Sequence, residues 1–284
     1  MTTDPPATAG KEIAKTKVTL TGAQETLMVT LCCRMEDAKA PKPILGDKWA
    51  SYICDQLEYD FSKFNLVPTC YAGLALRARL FDQWTAEFLA SHPQATVLHL
   101  ACGLDSRSHR VKWAHGVRWI DVDLPDVVGL RKKLLPNPKG DYQLIAASVT
   151  DDVWLHQIPT DRPTAVIFEG LTMYLTPEEG RSLIERVTAR FPTGQLLFDC
   201  AGWIVVKFQT LMPWLKSTGA ELKWAIDDVG TLENFHEGLR LRDRLSMVDM
   251  PGVEEFSLGG RTLMWILAML PYFRQMGQFL RYEF

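Results

Sequence analysis

The sequence predicts an α/β fold built around a mostly parallel sheet. From about residue 96 onward, short apolar runs alternate with helix-like segments, and strands separated by helices need right-handed crossovers that leave neighbouring strands parallel. The first ninety residues carry only helix-like spacing. With 284 residues, 47% of them hydrophobic, the chain can bury one large core. A single domain is therefore expected over residues 16–284, with a helical cap at 16–92 and a core at 93–284 that carries an aromatic-rich insertion at about 201–238.

Residues 1–15, MTTDPPATAGKEIAK, lack the apolar centre of a signal peptide and are expected to form a disordered tail. Gly22–Ala38 and Lys48–Leu57 have helical apolar spacing and are separated by Pro41 and Pro43. Tyr71–Leu89 continues the pattern through Leu74, Leu76, Leu80, Phe81, Trp84 and Phe88. Strands follow at Thr96–Leu100, Val117–Val122, Tyr142–Ala147, Thr164–Phe168 and Gln195–Asp199. Helices at Leu124–Leu135 and Pro177–Phe191 lie between them, the second with Thr176 as N-cap and Pro177 at its first position. Two late strands, Leu241–Val248 and Thr262–Met269, are expected to pair antiparallel at the sheet edge, joined through Pro251-Gly252 and Gly259-Gly260. The apolar run Leu263–Leu270 is too short to span a bilayer and reads as a buried strand.

The segment Thr96–Pro125 carries the first chemical signal. An apolar run ends in the small-residue turn Ala101-Cys102-Gly103, and a second ends about twenty residues later in Asp121-Val122-Asp123. That spacing suits a nucleoside site, in which a tight turn approaches the ligand and a strand-end carboxylate bonds ribose hydroxyls. Ala101 replaces the first glycine of a dinucleotide fingerprint, and Leu104-Asp105 brings a side chain and a negative charge to the place a pyrophosphate needs. S-adenosylmethionine, with no phosphate and a positive sulfonium, fits better. The alternative is an ordinary α/β turn with no ligand.

Composition removes other classes. Thirty-one basic against 34 acidic residues give a net charge of −3, so no basic footprint for nucleic acid is present. The six cysteines, Cys32, Cys33, Cys54, Cys70, Cys102 and Cys200, form no CxxC pair and no metal-ligand spacing with the histidines, so no metal is expected. A soluble, cytoplasmic protein without a membrane or nucleic-acid partner is the expectation, and the sequence says nothing of its oligomeric state.

Five blocks together carry a resemblance: VLHLACGLDSR, WIDVDLPDVVGLRKKLLP, SVTDDVWL, IFEGLTMYL and LKWAIDD. In this order, and with motifs spread from Arg34 to Asp228 over about two thirds of the chain, they resemble the leucine carboxyl methyltransferase superfamily, and within it the branch of polyketide O-methyltransferases. The resemblance implies a class I, Rossmann-like methyltransferase fold with a seven-stranded, mostly parallel sheet, and S-adenosylmethionine as cofactor.

It also implies site residues. Arg77, in LRARLFDQW, would hold the cofactor carboxylate, since a guanidinium fork matches a carboxylate; Arg79 falls on another helix face and would pair with Asp82. Arg34 resembles a further family arginine. Cys102 and Gly103 would lie against the cofactor, Asp123 would take the ribose hydroxyls with Leu124 beside it, and Ser148 with Val149 would meet the adenine. Glu169 would sit at the methionine end, and Arg107 would brace the loop.

The reaction implied is in-line displacement at the sulfonium methyl, which asks the protein mainly to align an oxygen and exclude water. An ionised carboxylate needs no base, whereas a phenol with pKa near 10 would benefit from one. No residue reads as an obvious base: His99 lies inside a strand, His109 and His115 flank the first crossover, and Tyr174 and His109 remain as weak catalytic candidates. Trp203, Phe208, Met212, Trp214, Trp224 and Phe235 follow the fifth strand; Trp203, Trp224 and Tyr174 are the expected acceptor contacts. The expected function is O-methylation of a small apolar or aromatic carboxylic acid or phenol in secondary metabolism. Two alternatives stand beside it: methyl esterification of a protein C-terminus, and a methyltransferase fold that binds ligand without transfer.

Overall fold

A computed structural model describes residues 4–6, 15–248 and 250–284. Of the expected tail 1–15, residues 1–3 and 7–14 lie outside the described ones.

Seven strands form the central sheet: β1 Thr96–Leu100, β2 Arg118–Asp123, β3 Asp141–Ala146, β4 Thr164–Phe168, β5 Gly194–Ala201, β6 Arg240–Ser246 and β7 Gly277–Glu283. Their order is β3-β2-β1-β4-β5-β7-β6. The first five are parallel, and β7 runs antiparallel to both β5 and β6. The order reverses at β1, whose neighbours are β2 and β4, and such a switch point leaves a crevice beyond the carboxyl ends of the strands.

Period-two alternation divides the core between the sheet faces. Leu98, Leu100, Ile120, Val166 and Phe198 pack with Leu183, Ile184 and Val187 of helix α5 (Pro177–Arg190). Val97, Trp119, Ile167 and Leu197 pack on the other face with Leu76, Phe81, Trp84 and Phe88 of α3 (Pro68–Ser91). Helix α1 (Leu27–Lys39) and α2 (Lys48–Asp55) build a third cluster, which reaches Leu104 and, on α4 (Pro125–Leu134), Val127 and Leu130. Thr176 caps α5 as expected, in a full capping box with Glu179.

The C-terminal expectation is corrected. Thr262–Met269 is not a strand: Thr262–Ala268 lies within α8 (Leu258–Ala268), with Met269 as its C-cap, and α9 (Pro271–Arg274) follows. Ser257 caps α8 by accepting from Gly260 N, and a short Leu- and Met-rich run cannot be assigned to strand or helix by periodicity alone. The antiparallel edge pair does exist, but the second partner is Gly277–Glu283. The connection between these strands is therefore long and helical. The run Leu263–Leu270 is also not buried: Trp265 is 62% exposed and Met269 60%.

Candidate active site

Four strand ends and the first turns of α1 and α3 converge on one cavity of about 540 Å³. Arg77, Cys102, Gly103, Asp123, Leu124, Glu169 and Tyr174 all line it. So do Arg34 and His99.

The turn after β1 is built tightly. Ala101 has φ +50° and Gly103 φ +53°, the left-handed region that costs a residue with a Cβ about 1–2 kcal/mol. Gly103 N donates to Asp123 Oδ2 at 2.6 Å, and Leu124 N donates to Asp123 Oδ1 at 2.7 Å. Each carboxylate oxygen keeps further acceptor capacity. Burial pushes the Asp123 carboxyl above the usual range, against the pull of those backbone donors.

Asp121, two residues earlier, has a different role. It is fully buried and accepts from Arg131 Nη2 at 2.7 Å, Tyr142 Oη at 2.8 Å and Trp119 Nε1 at 2.8 Å. Although burial opposes ionisation, Arg131 and the hydrogen bonds bring its carboxyl down to about 2. Arg131 also donates through Nη1 to the Gly103 and Asp105 carbonyls at 3.0 and 2.6 Å. This clamp on the turn escaped sequence reasoning; the signal was an arginine eight residues after Asp123, on the crossover helix.

Asp105 does not leave its charge facing a ligand. It accepts from Arg110 Nη1 at 2.7 Å and lies 3.4 Å from Arg107 Nη2, and these guanidiniums hold its carboxyl well below the usual range despite burial.

Opposite stands a paired set. Arg77 donates through Nε to Glu169 Oε1 at 2.8 Å and through Nη1 to Asp199 Oδ2 at 3.0 Å. Arg107, fully buried, donates to Glu169 Oε2 at 2.5 Å and to Asp82 Oδ1 at 2.8 Å. Held between two guanidiniums, the Glu169 carboxyl is lowered in spite of its burial. Asp199, at the carboxyl end of β5, was read from sequence only as a strand end; here its Oδ1 also accepts from Gly170 N at 2.6 Å. Burial, with Glu169 nearby, raises its carboxyl. Gly170 has φ +69°, and a Cβ there would lie 3.4 Å from Arg77 Nη2, so the glycine leaves space for the guanidinium. Tyr174 is pushed up to about 12 by burial.

Several expected contacts lie elsewhere. Ser148 Oγ sits 2.7 Å from Thr150 Oγ1, and Val149 packs into the core; neither is among the cavity residues. Trp224 packs over Gly180, where a Cβ would come within 1.9 Å of its ring, and walls a different groove with Phe235. Trp203, on α6 (Trp203–Lys207), is 40% exposed with Lys207 Nζ 5.2 Å from its ring centroid. The insertion contributes Val205, Met212 and Trp214 instead. His109 is buried against Trp49, its Nε2 3.0 Å from the Pro136 carbonyl, and burial lowers it to about 4. It is not among the cavity residues. Arg79 pairs with Glu255 at 2.7 Å rather than with Asp82, which takes Arg107 and Arg110.

Relatives with the same architecture are known. A DUF574 family protein from Streptomyces avermitilis superposes with TM-score 0.58 at 13% identity, covering 88% of this chain and 96% of its own. A methyltransferase-titled structure from Thermobifida fusca gives 0.55 at 18% identity, covering 88% and 93%. At the sequence level, the tetracenomycin polyketide synthesis O-methyltransferase of Streptomyces glaucescens is 40% identical over 94% of this chain and 98% of its own length. An S-adenosyl-L-methionine-dependent methyltransferase of Gibberella zeae is 40% identical over 84% of this chain and 86% of its own. The family model for leucine carboxyl methyltransferases matches residues 26–188, a span that holds Arg77, the turn at Ala101–Gly103, Asp123 and Glu169. The chain belongs to the leucine carboxyl methyltransferase family.

Proposed function

We propose that the protein is an S-adenosylmethionine-dependent O-methyltransferase of secondary metabolism, acting on a small apolar or aromatic, polyketide-like carboxylic acid or phenol. The observation that carries this reading is the composition of the cavity wall. Its charged groups, Arg34, Arg77, Asp105, Asp123, Glu169 and Asp199, stand on α1 and α3, in the turn after β1 and at strand ends. Away from them the wall is mainly apolar, from Leu66 and Leu74 in the cap to Met212, Trp214, Met247 and Phe256 in the segments after β5 and β6. Pockets of this size and composition suit largely apolar small molecules. Of the two relatives with 40% identity, one is named a polyketide synthesis O-methyltransferase and the other an S-adenosyl-L-methionine-dependent methyltransferase.

The residues present fit the cofactor. Asp123 keeps an acceptor site on each oxygen for two vicinal hydroxyls, and the Ala101–Gly103 backbone closes on the nucleoside. Arg77 holds the amino-acid carboxylate, and the ionised Glu169 accepts from its amino group. When bound, S-adenosylmethionine supplies a methyl group on a positively charged sulfur, ready for transfer to a nucleophile.

The protein's task is then to bring an oxygen behind that methyl and keep water away. With its proton retained far above neutral pH, Tyr174 serves as a hydrogen-bond donor that orients the acceptor rather than as a base. With His109 outside the cavity and His99 Nε2 set 3.1 Å from Arg107 Nη1, an acceptor that is already ionised suits this wall best, which favours a carboxylate. A domain plan with residues 16–92 as cap and 93–284 as core accompanies this reading.

Calorimetry with S-adenosylhomocysteine, followed by incubation of labelled cofactor with a panel of aromatic acids and phenols, tests the proposal. Label is expected in an acid, and methanol is expected on mild base treatment of the product. An ether product overturns the carboxylate preference. Transfer only to a peptide C-terminus overturns the substrate class.

A further inference from the structure

The helices at the cavity rim carry an exposed apolar surface that the methyl-transfer reading does not use. Helix α8 turns Gly260 inward and lends Met264 to the cavity wall, while Leu258, Leu263, Trp265 and Ile266 face solvent. Met269, Leu270 and Tyr272 extend that surface towards α9, Tyr272 being 65% exposed. The start of α6 is tied to the end of this segment, since Gly202 N donates to Met276 O at 3.2 Å. Trp203, Phe208 and Leu211 on that side are exposed as well, Leu211 by 76%. Two stretches that wall one cavity from within thus also present large apolar side chains outward.

Charge selects the occupant. Residues 202–220 and 257–273 contain Lys207, Lys216 and Arg261, all exposed, and no aspartate or glutamate, in a chain whose net charge is −3. The acids that border them are Glu221, Glu255, which pairs with Arg79, and Asp227, whose Oδ1 accepts from Trp203 N at 3.1 Å. Lys207 lies over the rings of Trp203 and Phe208, 5.2 and 5.7 Å from their centroids, so charge and apolar surface share one patch. A second copy joined through the same patch would set cation against cation. The patch also includes a helix on which Leu258, Gly259, Leu263 and Trp265 are exposed rather than folded into a groove. Aromatic and aliphatic side chains flanked by lysine and arginine are the composition of a helix that lies in the interface of an anionic bilayer. Among the described residues no helix is long and apolar enough to cross a membrane.

We infer that the α8–α9 face, together with α6 and the residues after it, docks on an anionic lipid surface, so that the cavity mouth meets the bilayer from which an apolar acceptor can enter. The expectation of no membrane partner accompanied the reading of Leu263–Leu270 as a buried strand. As an exposed helix the same run has another use.

The test is co-sedimentation of the full chain with vesicles of phosphatidylcholine alone and of phosphatidylcholine with phosphatidylglycerol. Wild type is expected to pellet with the anionic vesicles and to be released by salt. Lys207→Glu with Arg261→Glu is expected to weaken that partition by roughly tenfold or more. Trp265→Glu with Met269→Glu should abolish it while leaving S-adenosylhomocysteine binding unchanged, and cofactor binding by these variants also shows that they fold. Equal sedimentation with and without anionic lipid, or variants that pellet like wild type, overturns the inference. A concentration-dependent dimer seen by light scattering, lost in Trp265→Glu and without vesicle binding, overturns it in favour of a second copy. Since vesicle binding is read without turnover, it stands or falls apart from the acceptor proposal.

Discussion

Arg77 and Asp199, 122 residues apart in sequence, meet through a 3.0 Å bond from Nη1 to Oδ2, and the same guanidinium is held from its other side by Glu169. The cation proposed for the cofactor carboxylate is therefore oriented by two buried acids before any ligand arrives. Removing it leaves both acids without their partner.

Arg77→Ala should cost about 3–5 kcal/mol of stability, as for breaking a buried ion pair from one side, measured by urea denaturation. Arg77→Lys should fold better yet bind S-adenosylhomocysteine at least ~10-fold more weakly, because an ammonium cannot reproduce the fork. Calorimetry giving wild-type affinity for the lysine variant would remove Arg77 from the cofactor site.

Asp123→Asn keeps one carbonyl oxygen for a backbone donor and sets an amide N–H₂ against the other. Loss of a charged hydrogen-bond acceptor of this kind is worth about 1.5–3 kcal/mol. A ~10- to 100-fold loss in S-adenosylhomocysteine affinity is expected, with the circular dichroism spectrum unchanged.

Asp121 gives the fold an acid-sensitive element. Its folded pKa, about 2, lies below the ordinary aspartate value of about 3.9. Its contribution is therefore complete above the unfolded pKa and is lost as pH falls from about 4 towards 2. The gap amounts to about 2–3 kcal/mol. Asp121→Asn should be less stable than wild type at pH 7 and should show a flatter stability profile between pH 4 and 2. Parallel profiles for the two proteins would contradict this.

Ala101→Gly releases the left-handed strain at the turn. A gain of up to about 1 kcal/mol is expected, since glycine occupies positive φ without the Cβ penalty. A lower melting temperature for this variant would mean that the Ala101 methyl, which packs at the edge of the core, outweighs the strain.

The turn geometry of the proposed cofactor half was legible because its determinants are local. A turn, a strand end and a twenty-residue spacing place Gly103 beside Asp123 with little dependence on the rest of the chain. The strands from Thr96 to Ala201 were legible for the same reason, each being a short apolar run between turn residues. What failed depended on distant packing. Trp224 looked like a pocket aromatic, but the absence of a side chain at Gly180, forty-four residues earlier, draws it onto α5. Ser148 follows β3, at the outer edge of the sheet, one strand removed from β1. The final strand sets Phe279 and Arg281 on one face and Leu280 and Tyr282 on the other, and its arginine, paired with Asp243 and Glu87, disguised a buried segment as a polar one.

The division of labour around β1 has an evolutionary consequence. Arg131 ties the 101–105 turn to β2, and Arg107 ties its far side to α3 and Glu169, so substitutions there disturb several buried charges at once. The proposed acceptor wall from Val205 to Trp214 and from Met247 to Met276 has no such web among its described lining side chains, which are mainly methionine and aromatic residues in segments outside the parallel strands. One half of the pocket is thus resistant to mutation and the other is permissive. A lineage can exchange acceptors by drift in the permissive half while inheriting the donor chemistry intact.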